Sequence, residues 1–273
     1  MLRGRRFAPT GRGTYVLRSE LAERTLVRAA LLTLPSPTLA ASVTGLRLLG
    51  VMVGSPEPLR FVTTHPRQVR RQGIRVRRVA SLPPHRDSVA IPEYCWLTAA
   101  LELNLLDLVT AGDWLLRAEL TTLRALSDYV GTSASRGAGA ARSAVRLVCK
   151  GVDSPRESWL RLCLVLAGLP MPECNPVVDG RRRSGRVDLV YLEFRVLIEY
   201  EGDQHRGDKR QWNRDIDRYD DFAQMGFVII RITAERARYP RLVVRLVDEA
   251  LRAGGFRRPE PAFDQRWMSL FER

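Results

Sequence analysis

The sequence predicts a two-domain α+β protein, with an α-rich first half and a second half in which helices flank a mixed β-sheet. Three observations support this prediction. Apolar residues recur at helical spacing through most of the first half. Residues 131–141 are small and polar, as is typical of an interdomain hinge. Short apolar runs then alternate with turn residues. We therefore expect domains at residues 1–130 and 142–255, a linker at 131–141 and a C-terminal tail at 256–273.

The first half is predicted to be mainly helical with small β-elements. Its predicted elements are a basic β-hairpin or wing at 2–17, helices at 20–34 and 38–49, strands at 59–63 and 74–79, and helices at 92–109, 113–117 and 120–129. We expect the two strands to form a hairpin whose connection presents Arg67, Arg70 and Arg71 to phosphate. A solvated charged loop is the alternative for these arginines.

The second half is predicted to follow the order αβββαβα. Its predicted elements are a helix at 142–150, a helix that starts at Ser154 and ends before Gly168, strands at 176–179, 187–191 and 196–201, a helix at 208–225, a strand at 227–232 and a helix at 240–253. This order implies a mixed sheet covered by helices.

The composition points to a polyanionic partner. The chain carries 44 Lys and Arg against 30 Asp and Glu, a formal net charge of +14. Such an excess attracts nucleic acid, and we expect DNA as the partner, although a GC-rich coding sequence is an alternative source of the arginines. No segment has the ~20 consecutive apolar residues of a membrane span, and no signal peptide is recognised, so we expect a cytoplasmic protein that does not bind membranes. The oligomeric state is left open.

The four cysteines show no metal-binding or disulfide pattern. Cys95, Cys149, Cys163 and Cys174 are irregularly spaced, without a CxxC pair, and lie mostly in apolar segments. We expect reduced core residues, neither disulfide-bonded nor bound to zinc.

Three acidic residues fall on two neighbouring predicted strands. Glu199 and Glu201 are two residues apart, so strand alternation places them on one face, and a hairpin would bring Asp188 beside them. Clustered carboxylates repel one another unless a cation neutralises them, and oxygen ligands favour Mg²⁺ or Mn²⁺. The alternative is that these are exposed carboxylates at strand ends, paired with nearby arginines.

Residues 186–190 and 196–205 resemble the PD-(D/E)XK, or restriction-endonuclease-like, nucleases. The resemblance covers about residues 140–252 and is closest to the very-short-patch-repair-like branch, which includes a family of domains common in actinobacteria. It implies a Mg²⁺- or Mn²⁺-dependent endodeoxyribonuclease or nickase that hydrolyses phosphodiesters, with phage defence, toxin–antitoxin systems and DNA repair as candidate settings.

The resemblance also assigns roles to residues of the site. Asp188 and Glu199 would ligate the metal with a backbone carbonyl near Tyr200, and Glu157 would reach in as an auxiliary acid. Where the wider superfamily has a catalytic lysine, this chain has Glu201.

Residues that follow the third strand are candidates for supporting roles. Lys209 or a second metal is expected to replace the missing lysine, and His205 to act as general acid or base, with an ordinary polar contact as its alternative. The candidates for nucleic-acid contact in this half are Arg186, Arg210, Trp212, Arg214 and Arg218. A solvated helix face is the alternative for the basic stripe, and core packing is the alternative to base stacking for Trp212.

Residues 12–16, 39–46 and 111–117 resemble AbiEi-type antitoxin-like proteins. This second resemblance implies a DNA-binding or DNA-orienting first domain that retains the wing-like end of a winged helix-turn-helix. It also supplies the alternative function, a non-catalytic transcriptional regulator of antitoxin type whose nuclease fold is degenerate.

Overall fold

The computed structural model of the protein describes residues 6–11, 14–17, 19, 22–201 and 209–272, with the backbone alone described at residues 7, 9–11 and 209–216. The chain divides into two compact units, Met1–Val148 and Cys149–Arg273. Both contain helices and strands, and the largest sheet of each mixes parallel and antiparallel pairs, so the protein belongs to the α+β class.

The first unit combines a five-stranded sheet with a group of helices. Its elements are β1 (Phe7–Gly11), β2 (Thr14–Leu17), α1 (Glu23–Leu31), β3 (Thr38–Ala40), α2 (Ser42–Leu48), β4 (Leu59–Thr63), β5 (Ile74–Arg78), β6 (His85–Arg86), β7 (Val89–Ala90), α3 (Pro92–Ala99), α4 (Leu105–Arg117), α5 (Leu123–Thr132) and α6 (Ala138–Val145). β1 and β2 form an antiparallel pair, as expected for the basic hairpin.

The five-stranded sheet has the order β5-β4-β3-β7-β6 and corrects two expectations. Residues 38–40 form the buried strand β3 rather than the start of a helix, because they enter the sheet between β4 and β7. β4 and β5 pair in parallel, not as a hairpin. Apolar alternation does not fix strand direction. Residues 64–73 carry the chain back beside the start of β4, so that β5 runs parallel to it.

The predicted helix at 92–109 is two helices, α3 and α4. The break comes at Asn104, whose side chain accepts the backbone N–H of Asp107 and thereby starts a new helix.

The boundary between the units lies after Val148, not at residues 131–141. α5 continues to Thr132, and α6 packs against α4 and α5 with Ala138, Ala141 and Ala144 buried. These residues are small because the helices approach closely, and their small size is also what resembles a linker in the sequence.

The second unit is built on a four-stranded mixed sheet. Its elements are α7 (Pro155–Leu166), β8 (Glu173–Cys174), β9 (Val177–Val178), β10 (Gly185–Arg186), β11 (Leu189–Tyr191), β12 (Val196–Glu201), α8 (Lys209–Gln224), β13 (Val228–Thr233), a 3-10 turn (Arg236–Arg238), α9 (Pro240–Ala253) and α10 (Gln265–Phe271). The sheet order is β13-β12-β11-β8, with β12 and β13 parallel and the other pairs antiparallel.

Two details differ from the predicted order of elements. The segment expected to be the first strand of the sheet contains β9, which pairs with β10 in a separate ladder, and β8 is the edge strand instead. Residues 256–273 are not a tail. Trp267 of α10 is buried and its indole N–H donates to the carbonyl of Cys163 in α7 at 2.9 Å.

The core of the second unit holds the strands that carry the acidic residues. Leu197 and Val190 pack against Phe222 of α8 on one face of the sheet. α7 contacts β12 and α9 contacts β13. The central strand β12 is therefore held from several directions, which fixes the position of the residues at its end.

Candidate functional site

The end of β12 carries two acidic side chains on one face of the sheet. Val196, Leu197 and Ile198 are buried, and Glu199 and Glu201 continue the strand with partial exposure. Side chains two residues apart lie on the same face, so both glutamates share the face of Leu197, which α8 covers.

Asp188 lies opposite Glu199 on the neighbouring strand. Leu189 pairs with Ile198, so the same register places Asp188, one residue earlier, across from Glu199. The carbonyl of Asp188 accepts the N–H of Asn175, and so points away from β12. The pair is therefore of the non-hydrogen-bonded type, in which opposite side chains are closest, with Cβ atoms about 4.5–5.5 Å apart.

A backbone hydrogen bond fixes the Asp188 carboxylate. Its Oδ2 accepts the N–H of Tyr200 at 2.7 Å. In a strand, the N–H and C=O of one residue point to the same edge, so the carbonyl of Tyr200 is directed toward Asp188 as well.

The two facing carboxyl groups hold protons more tightly than free ones do. Burial raises the pKa of Glu199 to about 7, and the negative charge of Asp188 adds to the effect. Burial also raises the pKa of Asp188 to about 6, although the hydrogen bond from Tyr200 opposes this, and Glu157 contributes repulsion. The site is therefore electrostatically unfavourable for two negative charges.

Arg218 of α8 partly offsets this charge. Its Nη2 lies 3.4 Å from Glu199 Oε1, and the side chains of the two residues are 20% and 13% exposed. The same nitrogen donates to the hydroxyl of Tyr219 at 3.0 Å, and the guanidinium lies 4.9 Å from that ring centre.

Glu201 does not join the other two acids. It forms an ion pair with Arg231 of β13. Within the described ranges, no group of three or more His, Cys, Asp or Glu side chains has the arrangement of a metal site. The expected cluster of three carboxylates is thus a pair, with the third acid held by an arginine.

Sequence reasoning missed Arg231. It pairs in register with Glu199, on the same face, and its guanidinium lies 5.5 Å from the centre of the Tyr219 ring. The signal was present, because Arg231 is the one charged residue in the strand Val228–Thr233 and interrupts a run of valine and isoleucine. A charge inside a strand of this kind usually has a specific partner.

Glu157 lies near the pair, but its carboxylate has a structural role. Ser154 caps α7 by accepting the N–H of Glu157 at 3.2 Å. Glu157 Oε2 in turn accepts the N–H of Asp153 at 2.8 Å and the side-chain amide of Asn175 at 2.5 Å. This arrangement is similar to a capping box and secures the start of the helix.

The other residues that the sequence proposes for the site or for DNA contact lie partly in the described structure and partly outside it. Arg186 is exposed and pairs with Asp153 at 2.5 Å. His205 lies outside the described residues. The side chains that fall outside the described part of the structure also include those of Lys209, Arg210, Trp212 and Arg214. In the first unit, Arg67 and Arg70 are exposed and Arg71 donates to Thr33.

A groove of about 640 Å³ starts beside the Glu201–Arg231 pair. Its lining residues are Glu201, Arg231, Thr233, Glu235, Arg236, Tyr239 and Leu242. Tyr239 and Leu242 are 61% and 58% exposed, so the groove has an aromatic ring and an apolar side chain open to solvent.

Comparisons with known proteins find relatives without an assigned activity. The chain is 29% identical over 125 residues to the uncharacterized proteins MT2308 and Rv2248 of Mycobacterium tuberculosis, from strains CDC 1551 and H37Rv respectively. The match covers 44% of this chain and 46% of each relative, so the chain spans less than half the length of these relatives. No family model and no solved structure matches. No helix in the described part of the chain has the length and apolar character needed to cross a bilayer.

Proposed function

We propose that the second unit is a Mg²⁺- or Mn²⁺-dependent deoxyribonuclease of the PD-(D/E)XK type, an endonuclease or nickase, and that the first unit binds DNA. The observation that carries the proposal is the pairing of Asp188 and Glu199 across adjacent strands, with a raised pKa for both carboxyl groups. Catalytic sites commonly contain groups perturbed in this way.

The residues present suit a hard divalent cation. Two carboxylates face each other, and the Tyr200 carbonyl is directed toward the same edge of β12, so these groups would supply three oxygen donors to one ion. Mg²⁺ and Mn²⁺ prefer such oxygen donors, and their charge would offset the repulsion between Asp188 and Glu199. When bound, the ion supplies an activated water and stabilises charge on the phosphate.

Two arginines take the place of the absent lysine in this proposal. Arg218 lies beside Glu199, and Arg231 lies on the same face one strand away, with the Tyr219 ring near both guanidinium groups. Guanidinium groups bind phosphate oxygens in a planar, bidentate manner. They would position the phosphodiester next to the acidic pair and stabilise the negative charge that develops on it.

The adjoining groove would hold the nucleic-acid strand. Tyr239 offers an exposed ring for a base and Arg236 a cation for the backbone. Phage defence, toxin–antitoxin function and DNA repair are the settings in which such an activity is proposed to act.

Calorimetric titration with Mn²⁺ and nicking of supercoiled plasmid test the proposal together. Asp188→Asn and Glu199→Gln are expected to lose both metal binding and cleavage, because each removes one charged ligand. Glu193→Gln is the matched control, since Glu193 is exposed in the turn before β12. Metal binding or cleavage that survives both site substitutions would refute the assignment.

A second candidate function rests on a specific observation. Glu199 and Glu201 each have an arginine partner, so the protein itself supplies charge compensation. This arrangement favours a non-catalytic DNA-binding regulator of antitoxin type, in which the acidic residues are structural. Such a regulator would protect a discrete operator in footprinting without divalent ions, and Mn²⁺ titration of the wild-type protein would show no binding.

A further inference from the structure

Two cysteines outside the acidic site lie close together. Cys149, in the loop before α7, and Cys174, at the end of β8, are half-buried, and their Sγ atoms are 3.3 Å apart. Cys95 and Cys163 are fully buried, and burial raises the pKa of both thiols, which opposes formation of the reactive thiolate. Cys149 and Cys174 are therefore the more accessible thiols, and they lie next to each other.

The backbones that carry Cys149 and Cys174 are held against each other. Asn175 donates its side-chain amide to the carbonyl of Gly151 at 2.9 Å. Gly151 has φ +92°, and a Cβ atom there would lie 2.8 Å from the Cys174 carbonyl oxygen, so glycine permits the close approach. A disulfide bond of ~2.05 Å requires the sulfurs to approach by only about a further 1.3 Å.

The surrounding structure can accommodate that movement. Cys149 lies in irregular structure between α6 and α7, and β8 is an edge strand of two residues. Rotation of the two side chains and a small shift of the loop would suffice, because neither cysteine is enclosed in the core.

We propose that Cys149 and Cys174 are an oxidisable dithiol that a hydroperoxide converts into a disulfide. One thiolate attacks a peroxide oxygen and becomes a sulfenic acid, with release of water or alcohol. The second thiol then displaces the sulfenic oxygen as water, and the Sγ–Sγ bond forms. Overall, two thiols lose two electrons and two protons, and the peroxide takes up both.

The disulfide would form next to residues that hold the acidic site. Asn175 follows Cys174 directly, donates its amide to Glu157 and donates its backbone N–H to the Asp188 carbonyl. The oxidised bond would therefore tie the loop before α7 to the edge strand at the flank of this site. The proposal is independent of the nuclease function, because it rests on the thiols and their backbones alone.

The test exposes the reduced protein to hydrogen peroxide at low molar excess and then counts thiols under denaturing conditions. The chain has four cysteines, and we expect two titratable thiols to remain, with the loss of two hydrogen masses and one cross-linked peptide joining Cys149 to Cys174. Dithiothreitol should restore all four. The cross-link should also raise Tm by roughly 5–10 °C, since it closes a long loop.

Cys149→Ser and Cys174→Ser should each abolish the intramolecular cross-link. A variant with Cys95→Ala and Cys163→Ala should retain it, and peptide mapping of the wild-type protein gives the same information if that variant does not fold. The proposal is overturned if all four thiols survive, if only intermolecular disulfides form, or if either cysteine is oxidised to sulfinic acid without a cross-link.

Discussion

The Asp188 carboxylate accepts the backbone N–H of Tyr200 at 2.7 Å, in the position where a partner strand would otherwise bond to β12. One side chain thus completes the sheet and is fixed beside Glu199 by the same contact. The Tyr200 carbonyl points to the same edge. The backbone of β12 at Tyr200 therefore orients the Asp188 carboxylate and the Tyr200 carbonyl, which carry oxygen atoms from which the function is inferred.

Raised carboxyl pKa values predict a pH-dependent stability of the metal-free protein. Both pKa values are higher in the folded state than in the unfolded chain, so the stability that Asp188 and Glu199 contribute is full below about pH 4 and is lost as pH rises through 6 to 7. Glu199→Gln removes the ionisable group, and with it the part of the pH-dependent loss of stability that Glu199 causes. Relative to wild type, the variant should gain about 1–3 kcal/mol in unfolding free energy between about pH 4.5 and 8, measured by urea denaturation in EDTA.

Glu193→Gln is the control for that measurement and should track wild type across the range. A constant difference between wild type and Glu199→Gln at all pH values would contradict the raised pKa. Mn²⁺ should stabilise the wild-type protein more at about pH 8 than at about pH 5, because metal binding requires ionised carboxylates.

Substitutions at Glu201 and Arg231 should distinguish the residues that bind the metal from those that position the phosphate. Because Glu201 pairs with Arg231 rather than with the acidic pair, Glu201→Gln should leave Mn²⁺ affinity within about threefold of wild type. Arg231→Gln should also retain metal binding but lower the single-turnover cleavage rate about 100-fold, since it removes a charge that stabilises the phosphate. Arg245→Gln, an exposed arginine on α9, is the control. A large loss of Mn²⁺ affinity in Glu201→Gln would show that Glu201 is a ligand.

Glu157 is expected to contribute to the stability of the fold and not to metal binding. Glu157→Ala removes the acceptor of the Asp153 N–H and one of the two acceptors of the Asn175 side-chain amide, and should lower the unfolding free energy by about 2–3 kcal/mol. Ser154→Ala should cost about 1 kcal/mol through loss of the helix cap. Glu157→Gln retains an oxygen acceptor, and should therefore keep both stability and Mn²⁺ affinity near wild-type values. A loss of metal binding in Glu157→Gln as severe as that in Glu199→Gln would indicate a direct ligand.

Exposed arginines of the first unit should contribute to DNA binding through phosphate contacts. The double variant Arg67→Ala and Arg70→Ala should weaken duplex binding about 10-fold at low salt and reduce the slope of log Kd against log salt by about 2, whatever the DNA sequence. Arg86→Ala with Arg124→Ala, two exposed arginines elsewhere in that unit, is the matched control. Equal losses for the two double variants would mean that total charge, not location, determines binding.

Sequence patterns were most informative where local chemistry determines structure. The strand at 196–201 has the bounds that its apolar run predicts, and period-two alternation correctly places Glu199 and Glu201 on one face. The start of α7 at Ser154 and Pro155 follows from capping preferences. Both features depend on neighbouring residues and require no knowledge of the tertiary fold.

Long-range pairing was harder to predict. β4 pairs in parallel with β5, and this pairing depends on which strands meet in the fold. Glu199 binds Arg218 and Glu201 binds Arg231, and these ion pairs depend on which helix and strand lie beside β12. Glu199 and Glu201 each pair with an arginine, as the alternative of arginine-paired carboxylates expects, and Asp188 and Glu199 also face each other across adjacent strands. A sequence shows that acids share a face, but not which of them a distant arginine will bind.

Anomalous diffraction from crystals soaked in Mn²⁺ tests the central claim most directly. We expect a single strong peak about 2.0–2.3 Å from carboxylate oxygens of Asp188 and Glu199 and from the Tyr200 carbonyl, and its absence from Glu199→Gln crystals. A fully soaked wild-type crystal without a peak there, and with Arg218 still paired to Glu199, would contradict the account.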